Sequence, residues 1–497
     1  MSCLNLPNHI LRKSNQEEIT DYLSDASNYT GECESVYFPV STEEVAVIVK
    51  AAVAGKIPVT TSATRTSLTG SSVPDTGIVI NTSRMNQLLY FDKTKKTIEL
   101  QPGFILKDLK DFLQKEGLLY PPDPTEELCT IGGNAATNAS GAKSFKFGPT
   151  RNYIEELEIV LADGEILDLK REDIFARNDR VTLTARSGKK YDIPVNPTGM
   201  PSTKNAAGYY IKENMDAIDL FIGCEGTLGI ITKIKLKLLP APESVLSCVA
   251  YFTSEQEALN FLTEARSLSY KSRTENLRNE IDARALEFFD GNSLQMLKED
   301  FPGIPACSAA VWFEQEYSSM NADSVFSCWD KLMEKHKSLP DSWFASGDKE
   351  QKEIGRFRHA ISYKVNEYIK RNRFKKVGTD VAVPDHHFED FYRLIAHHIR
   401  QTGLNFATYG HFGNSHIHLN MLPRNEEEFA LAKETYFYIC REAVKLGGTV
   451  SAEHGIGKIK REYLKLMYDE EKINAMRAVK SALDPDNLLC RGNIFLM

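Results

Sequence analysis

Two alternating apolar runs, Ile154 to Leu161 and Glu165 to Leu169, flank Asp163-Gly164, and a second pair, Val181 to Ala185 and Tyr191 to Ile193, flanks Ser187-Gly188. Dipeptides of this kind favour tight turns whose twist matches antiparallel strands, so both stretches predict hairpins. Helical signals are interleaved with them. Ser41 and Glu44 have capping-box spacing ahead of the periodic Val45 to Val53, Gly55 stops that run, and Ile57-Pro-Val-Thr-Thr reads as a strand. Leu88 to Phe91 and Thr97 to Gln101 read as strands, and Ile105 to Glu116 as a helix ended by Gly117. The pattern is α+β with substantial antiparallel pairing.

Ile231 to Leu238 alternates apolar and basic residues as a half-buried strand should, and Pro240-Ala-Pro242 breaks it, so a domain boundary is expected near residue 240. Beyond it, Val245 to Phe252 predicts a strand, Glu255 to Arg266 a helix, Asp380 to Pro384 a strand edge, and Glu427 to Leu446 a helix closed by Gly447-Gly448. At 497 residues the chain is about three domain equivalents of ~150 and needs no covalent staples. Its nine cysteines form no C-x-x-C pair, which speaks for reduced thiols and against an iron–sulfur run. Sixty basic against sixty-eight acidic residues leave a net charge of −8, which argues against nucleic acid as partner and makes small-molecule chemistry the default. With no apolar leader in the first thirty residues and no 18-residue apolar run, the expectation is a cytoplasmic protein without a transmembrane segment, free or peripheral at a membrane.

Three glycine-rich clusters dominate the first half: Thr66 to Gly70, Thr130 to Asn134 leading to Asn138 to Gly141, and Gly223 to Ile230. Small residues let a backbone approach a ligand closely, and exposed N–H groups can cradle a pyrophosphate without a cationic side chain. Neither G-x-G-x-x-G nor G-x-x-x-x-G-K-[ST] occurs, which speaks against a Rossmann site and a P-loop. Histidines behave oppositely, ten of eleven lying at or after position 336. Gly410 to Asn420 holds His411, His416 and His418, and Ser451 to Gly457 holds Glu453 and His454. Imidazoles and a carboxylate are sound ligands for a divalent metal such as zinc, and three of them leave a position open for substrate. His416 and His418 share one strand face, whereas His411 reaches the same place only through a bend at Gly413, so spacing leaves the ligand pair open. His386-His387 and His397-His398 read as ordinary core or surface histidines, one ring of the second pair facing solvent.

Taken together, Pro121-Pro-Asp-Pro124, Thr130 to Gly141, Glu225 to Ile230, Gly410 to Asn420 and Ser451 to Gly457 resemble the FAD-linked D-2-hydroxyacid dehydrogenases. This is the group of D-lactate, glycolate and D-2-hydroxyglutarate dehydrogenases within the vanillyl-alcohol-oxidase class of flavoproteins. The resemblance runs from about Ser41 to the C-terminus. It implies an FAD-binding domain of two α+β subdomains over residues 1–240, an α+β substrate cap carrying the metal-site strand over 241–445, and a segment, 446–497, that packs back on the FAD domain. It further implies that Ala63, Thr64, Arg65, Thr66 and Ser67 bind the pyrophosphate, and that Pro122, Asp123, Thr130, Gly132, Gly133, Asn134, Ser140, Gly141 and Ile230 line the cofactor. By the same match His411, His418 and Glu453 are the metal ligands, His454 is the catalytic base, Asn420 contacts substrate and Arg358 takes its carboxylate, unless neighbouring Arg356 points inward instead.

The implied reaction is oxidation of a small D-2-hydroxy acid to the 2-oxo acid, with hydride passing to FAD and a quinone, flavoprotein, cytochrome, partner subunit or oxygen as the final electron acceptor. FAD is expected to be non-covalent, because no histidine occurs between His9 and His336 and Cys129 is the only thiol near the expected flavin. Two departures from the family pattern stand out. Ala63-Thr64-Arg65 replaces a glycine-rich loop, and Leu489-Cys490-Arg491-Gly492 replaces an Asn-Pro-Gly ending. Two rival readings remain: a zinc hydrolase without flavin, and a non-catalytic FAD-binding subunit of a larger dehydrogenase.

Overall fold

A computed structural model describes residue 4, residues 6–345 and residues 347–497, apart from the side chain of residue 348. The amino-terminal half carries two larger sheets. In the first, strands Leu11–Lys13, Ser35–Phe38, Ile78–Asn81 and Val59–Ser62 lie side by side in that order, the last two pairings parallel. Parallel strands need a crossover, and helix Thr42–Ala54 supplies one, burying Val45, Ile48, Val49 and Ala52. The expected cap is present: the Glu44 N–H donates to Ser41 Oγ at 3.3 Å, and the returning bond from Val40 N–H to Glu44 Oε2 is 2.8 Å.

The second sheet is antiparallel throughout, in the order Leu88–Asp92, Thr97–Leu100, Ile230–Lys237, Ile154–Val160, Ile166–Lys170. The Asp163-Gly164 hairpin forms as expected, and strands Arg180–Thr184 and Lys190–Pro194 make the second hairpin as a small separate sheet. Between these strands run the short helix Ile131–Thr137 and the glycine-rich turns, placed where strands end.

The second half is built on an eight-stranded antiparallel sheet. Its order is Trp343–Phe344, Ser244–Phe252, Ala309–Tyr317, Ala283–Asp290, Phe406–Gly410, His416–Met421 and Val377–Gly378, with Val381–Ala382 also on the His416–Met421 strand. Helix Glu255–Glu275 runs nine residues past the expected Arg266. Its buried face continues through Ser269 and Ser272, whose small hydroxyls satisfy a close-packed interface without an apolar signature, and it ends on left-handed Asn276. Helix Glu426–Lys445 forms where periodicity placed it. In helix Phe388–Thr402, His397 faces solvent while its neighbours Ile395, Ala396 and Ile399 are buried.

The carboxy-terminal segment returns to the first sheet. Val59 N–H donates to Leu488 O at 2.8 Å, Cys490 N–H donates to Val59 O at 2.7 Å, and Asn493 Nδ2 donates to Ser71 O and Glu225 O at 2.8 and 3.1 Å. One buried apolar cluster runs from Ile98 and Leu236 through Phe252 to Val450 and Met476, so the two halves share a core. The eight described cysteines are all unpaired, and Cys3 lies outside the described residues. Among the described residues no helix is long and apolar enough to cross a membrane.

Candidate active site

The glycine-rich turns of the first half and the histidine-bearing strands of the second open onto one continuous cavity of about 1120 Å³. Its amino-terminal wall includes Ala63, Thr64, Arg65, Thr66 and Ser67, then Thr130, Gly132, Gly133, Asn134, Ser140 and Gly141, then Ile230. His411, His418, Asn420, Glu453, His454 and Arg358 line the opposite wall. Two segments that the sequence keeps far apart therefore face each other across a single space.

Backbone shape explains the first wall. Thr130 Oγ1 accepts the Gly133 N–H at 3.2 Å and starts the short helix, while a Cβ on Gly141 would stand 1.9 Å from Asp123 O, so only glycine admits that approach. Thr61 Oγ1 and Asn134 Nδ2 are buried on this wall with no oxygen or nitrogen partner in the chain, only the Cys490 and Cys129 sulfurs near their side chains. Buried polar atoms are ordinarily satisfied, so the cradle carries capacity for a polar ligand. Arg65 takes the left-handed φ of +58° that a glycine would adopt freely, and its guanidinium lies over the Tyr22 ring at 4.7 Å, which offsets part of the cost. Cys490 sits behind the wall, accepting the Thr61 N–H through Sγ at 3.4 Å, and does not line the cavity.

Two expected cofactor residues lie just off this cavity. Neither Pro122 nor Asp123 lines the cavity, which Pro124, Thr125 and Glu126 reach instead. Asp123 is an ion-pair centre: burial pushes its carboxyl up, but Lys143 at 2.6 Å and the adjoining Lys110 hold it well below the usual carboxylate range. With both oxygens engaged by lysines, it braces the loop.

The opposite wall follows from strand register. Tyr409 pairs with His418 and Ala407 with Asn420, so His416, His418 and Asn420, two residues apart, share one face of the strand, of which His418 and Asn420 line the cavity. His411 enters from the turn after Gly410. Its Nε2 lies 3.2 Å from Glu453 Oε2, and His418 Nε2 lies 3.6 Å from the same oxygen. Ligands of a tetrahedral ion with bonds of ~2.0–2.1 Å stand about 3.3 Å apart, so each of these two distances is of the size a shared ion would set. His416 also offers a ligand atom within 4.8 Å of these, although its Nε2 is held by Asp380 at 2.9 Å. Burial lowers the pKa of His418, leaving its ring neutral, and its Nδ1 faces Thr379 O at 3.2 Å, so Nε2 keeps the lone pair. Burial opposes the charge on Glu453, yet His411 and Lys204 hold it well below the ordinary value. Lys204 Nζ and Ser140 Oγ both donate to Glu453 Oε1, at 2.5 and 2.8 Å, which leaves Oε2 to the histidines.

Asp380 organises the His454 loop. It accepts from Ser451 Oγ at 2.8 Å, Lys460 Nζ at 2.7 Å and the backbone N–H groups of Glu453 and His454 at 3.3 and 3.1 Å. His454 Nδ1 stands 3.2 Å from Asp380 Oδ2, a placement that puts the proton on Nδ1 and leaves Nε2 bare. Glu225 holds the far end of the same loop, accepting the N–H groups of Ile456 and Gly457 at 2.7 Å each. Helix Asp348–Asn372 presents Arg358, Ser362, Asn366 and Ile369 to the cavity, one face of the helix, whereas Arg356 is exposed and pairs with Glu353. Sequence reasoning missed Glu287, Lys204 and the role of Asp380, because no local spacing marks a side chain that arrives from a distant segment. Lys376 also borders the cavity, where desolvation lowers its ammonium pKa.

Residues 34–170 match the family model described as "FAD binding domain", and residues 249–494 match "FAD linked oxidases, C-terminal domain". A D-lactate dehydrogenase from Anaerostipes hadrus is 30% identical over 482 residues, 91% of this chain and 88% of that protein. The chain belongs to the FAD-linked oxidases. Glycolate oxidase subunit GlcD of Bacillus subtilis is 29% identical over 95% of this chain and 92% of its own length. The solved structure of p-cresol methylhydroxylase with substrate bound aligns with a TM-score of 0.70 at 14% identity, over 98% of this chain and 94% of that one, which establishes the vanillyl-alcohol-oxidase-type fold. Membership in the FAD-linked oxidases makes FAD the cofactor and CH–OH oxidation the reaction class, and it removes the reading as a zinc hydrolase without flavin.

Proposed function

We propose that the chain oxidises a small D-2-hydroxy acid, lactate-like or glycolate-like, to the corresponding 2-oxo acid. In this reading residues 1–240 hold FAD without a covalent bond, 241–445 form the substrate cap with its metal-site strand, and 446–497 return the base to the flavin. The observation that carries it is the single cavity, with unsatisfied cradle atoms on one wall and the His411, His418, Glu453, His454, Asn420 and Arg358 cluster on the other. Cys129 is not the only thiol on the cavity, because Cys224 lines it too; burial pushes these thiols up to about 12 and about 11, which keeps both protonated and supports a flavin bound by contacts alone.

Bound FAD supplies the hydride acceptor, and a divalent ion on His411, His418 and Glu453, with zinc the favoured choice, supplies a Lewis acid for the substrate hydroxyl. Arg358 takes the carboxylate through its planar fork, and Asn420 fixes the orientation with its amide. His454 Nε2 accepts the hydroxyl proton while Asp380 keeps the ring turned toward the cavity. The substrate thus loses one proton to His454 and one hydride from carbon 2, leaving a carbonyl. The two electrons would then have to pass on to an external acceptor, a quinone, flavoprotein, cytochrome, partner subunit or oxygen.

Anaerobic mixing of the purified yellow protein with a panel of D- and L-2-hydroxy acids tests this directly. Bleaching of the flavin absorbance by one or more D-acids is expected. Failure of every D-acid to bleach it would remove the proposal that a small D-2-hydroxy acid is the substrate.

A further inference from the structure

Glu287 lies on strand Ala283–Asp290, is 2% exposed, and faces the cavity between two residues given roles above. Its Oε1 is 2.5 Å from His411 Nδ1, and its Oε2 accepts from Arg358 Nη2 at 3.2 Å. Arg358 is fixed on its other side by Nη1 donating to Thr125 Oγ1 at 2.6 Å. One buried carboxylate therefore joins the side chain assigned to the substrate carboxylate and the one assigned to the metal. We propose that Glu287 is a positioning residue that couples carboxylate recognition at Arg358 to metal affinity at His411.

The proposal rests on the functional reading above, and its physics is charge sharing. While the site is empty of acid, Glu287 divides its negative charge between a guanidinium and an imidazole. A carboxylate arriving at Arg358 neutralises the guanidinium, so more of the Glu287 charge polarises the His411 N–H. That makes the His411 Nε2 lone pair a stronger donor, as carboxylate partners of metal-bound histidines do. By thermodynamic reciprocity, metal at His411 strengthens carboxylate binding at Arg358 by the same factor.

Flavin-loaded wild-type protein, Glu287→Gln and Glu287→Asp are stripped with a chelator, and zinc is then titrated against a chromophoric competitor with and without saturating propionate. Propionate carries a carboxylate but no 2-hydroxyl, so it engages Arg358 without copying the substrate's reach to the ion. In wild type, propionate is expected to tighten zinc binding several-fold. In Glu287→Gln zinc weakens by about 10- to 100-fold and the propionate effect vanishes, with the flavin spectrum unchanged. Equal zinc affinity and equal propionate effect in wild type and Gln variant overturn the proposal. So does a Gln variant that loses zinc affinity but keeps the propionate effect. If the Gln variant fails to retain flavin, the Asp variant decides: one methylene shorter, it cannot span both partners, so undiminished coupling there overturns the idea. A wild type that binds no zinc removes the functional reading as well, whereas normal zinc binding with an indifferent Glu287 removes this inference alone.

Discussion

At the scale of single residues, the His454 ring is the side chain most exposed to a decisive test. Its Nδ1 is directed to Asp380, and only its Nε2 is free to take a proton. Replacement His454→Asn removes that acceptor, and turnover is expected to fall by roughly 10²- to 10⁴-fold while FAD stays bound; steady-state kinetics beside the flavin absorbance of the same sample check it. His411, His418, Glu453, His454 and Asn420 were legible in the sequence because each sits in a short glycine-bounded motif. Glu287, Lys204 and Asp380 were not, since the first two reach the cluster across 124 and 249 positions of sequence and the third had the look of a strand edge. Asp123 is the converse case: a motif residue next to the cradle whose side-chain oxygens are paired with lysines, which no local spacing announced.

At the scale of elements, the loop from Ser451 to Gly457 is held at one end by Asp380 and at the other by Glu225. Burial raises the Glu225 carboxyl to about 7, even though two backbone N–H groups favour its ionised form. In an unfolded chain the same group titrates near 4.3. Its contribution to stability is therefore complete below about pH 4.3 and is lost as the pH climbs through 7. Glu225→Gln removes that dependence, so the variant's Tm should gain on wild type between pH 5 and 7.5, the difference corresponding to at most about 3 kcal/mol at ~1.4 kcal/mol per unit. A Tm difference that is flat with pH would show that Glu225 does not ionise there. The hairpins and the first capped helix were legible because turn dipeptides and cap spacing act within a few residues. The extension of helix Glu255–Glu275 was not, because Ser269 and Ser272 bury a face that no apolar period announces.

At the scale of the whole molecule, the cofactor cradle and the His411, His418 and Glu453 cluster proposed to hold an ion occupy different walls, and this separation is itself testable. Exhaustive chelation is expected to abolish turnover with a D-2-hydroxy acid and leave the visible flavin spectrum in place, with activity returning on addition of zinc. Full activity in protein shown to be metal-free would exclude the ion from the reaction. That both walls open onto one space was beyond the reach of local patterns, because it depends on how the large sheet packs against the amino-terminal lobe. The return of the chain to strand Val59–Ser62 carries a further consequence. Thr61 meets Cys490 across 429 positions, and Ser71 meets Asn493 across 422, so the backing of the cradle comes from a segment made long after the cradle itself. Until that segment has been made and has packed, the cradle lacks part of its backing, so a firm grip on the dinucleotide is expected only after its arrival.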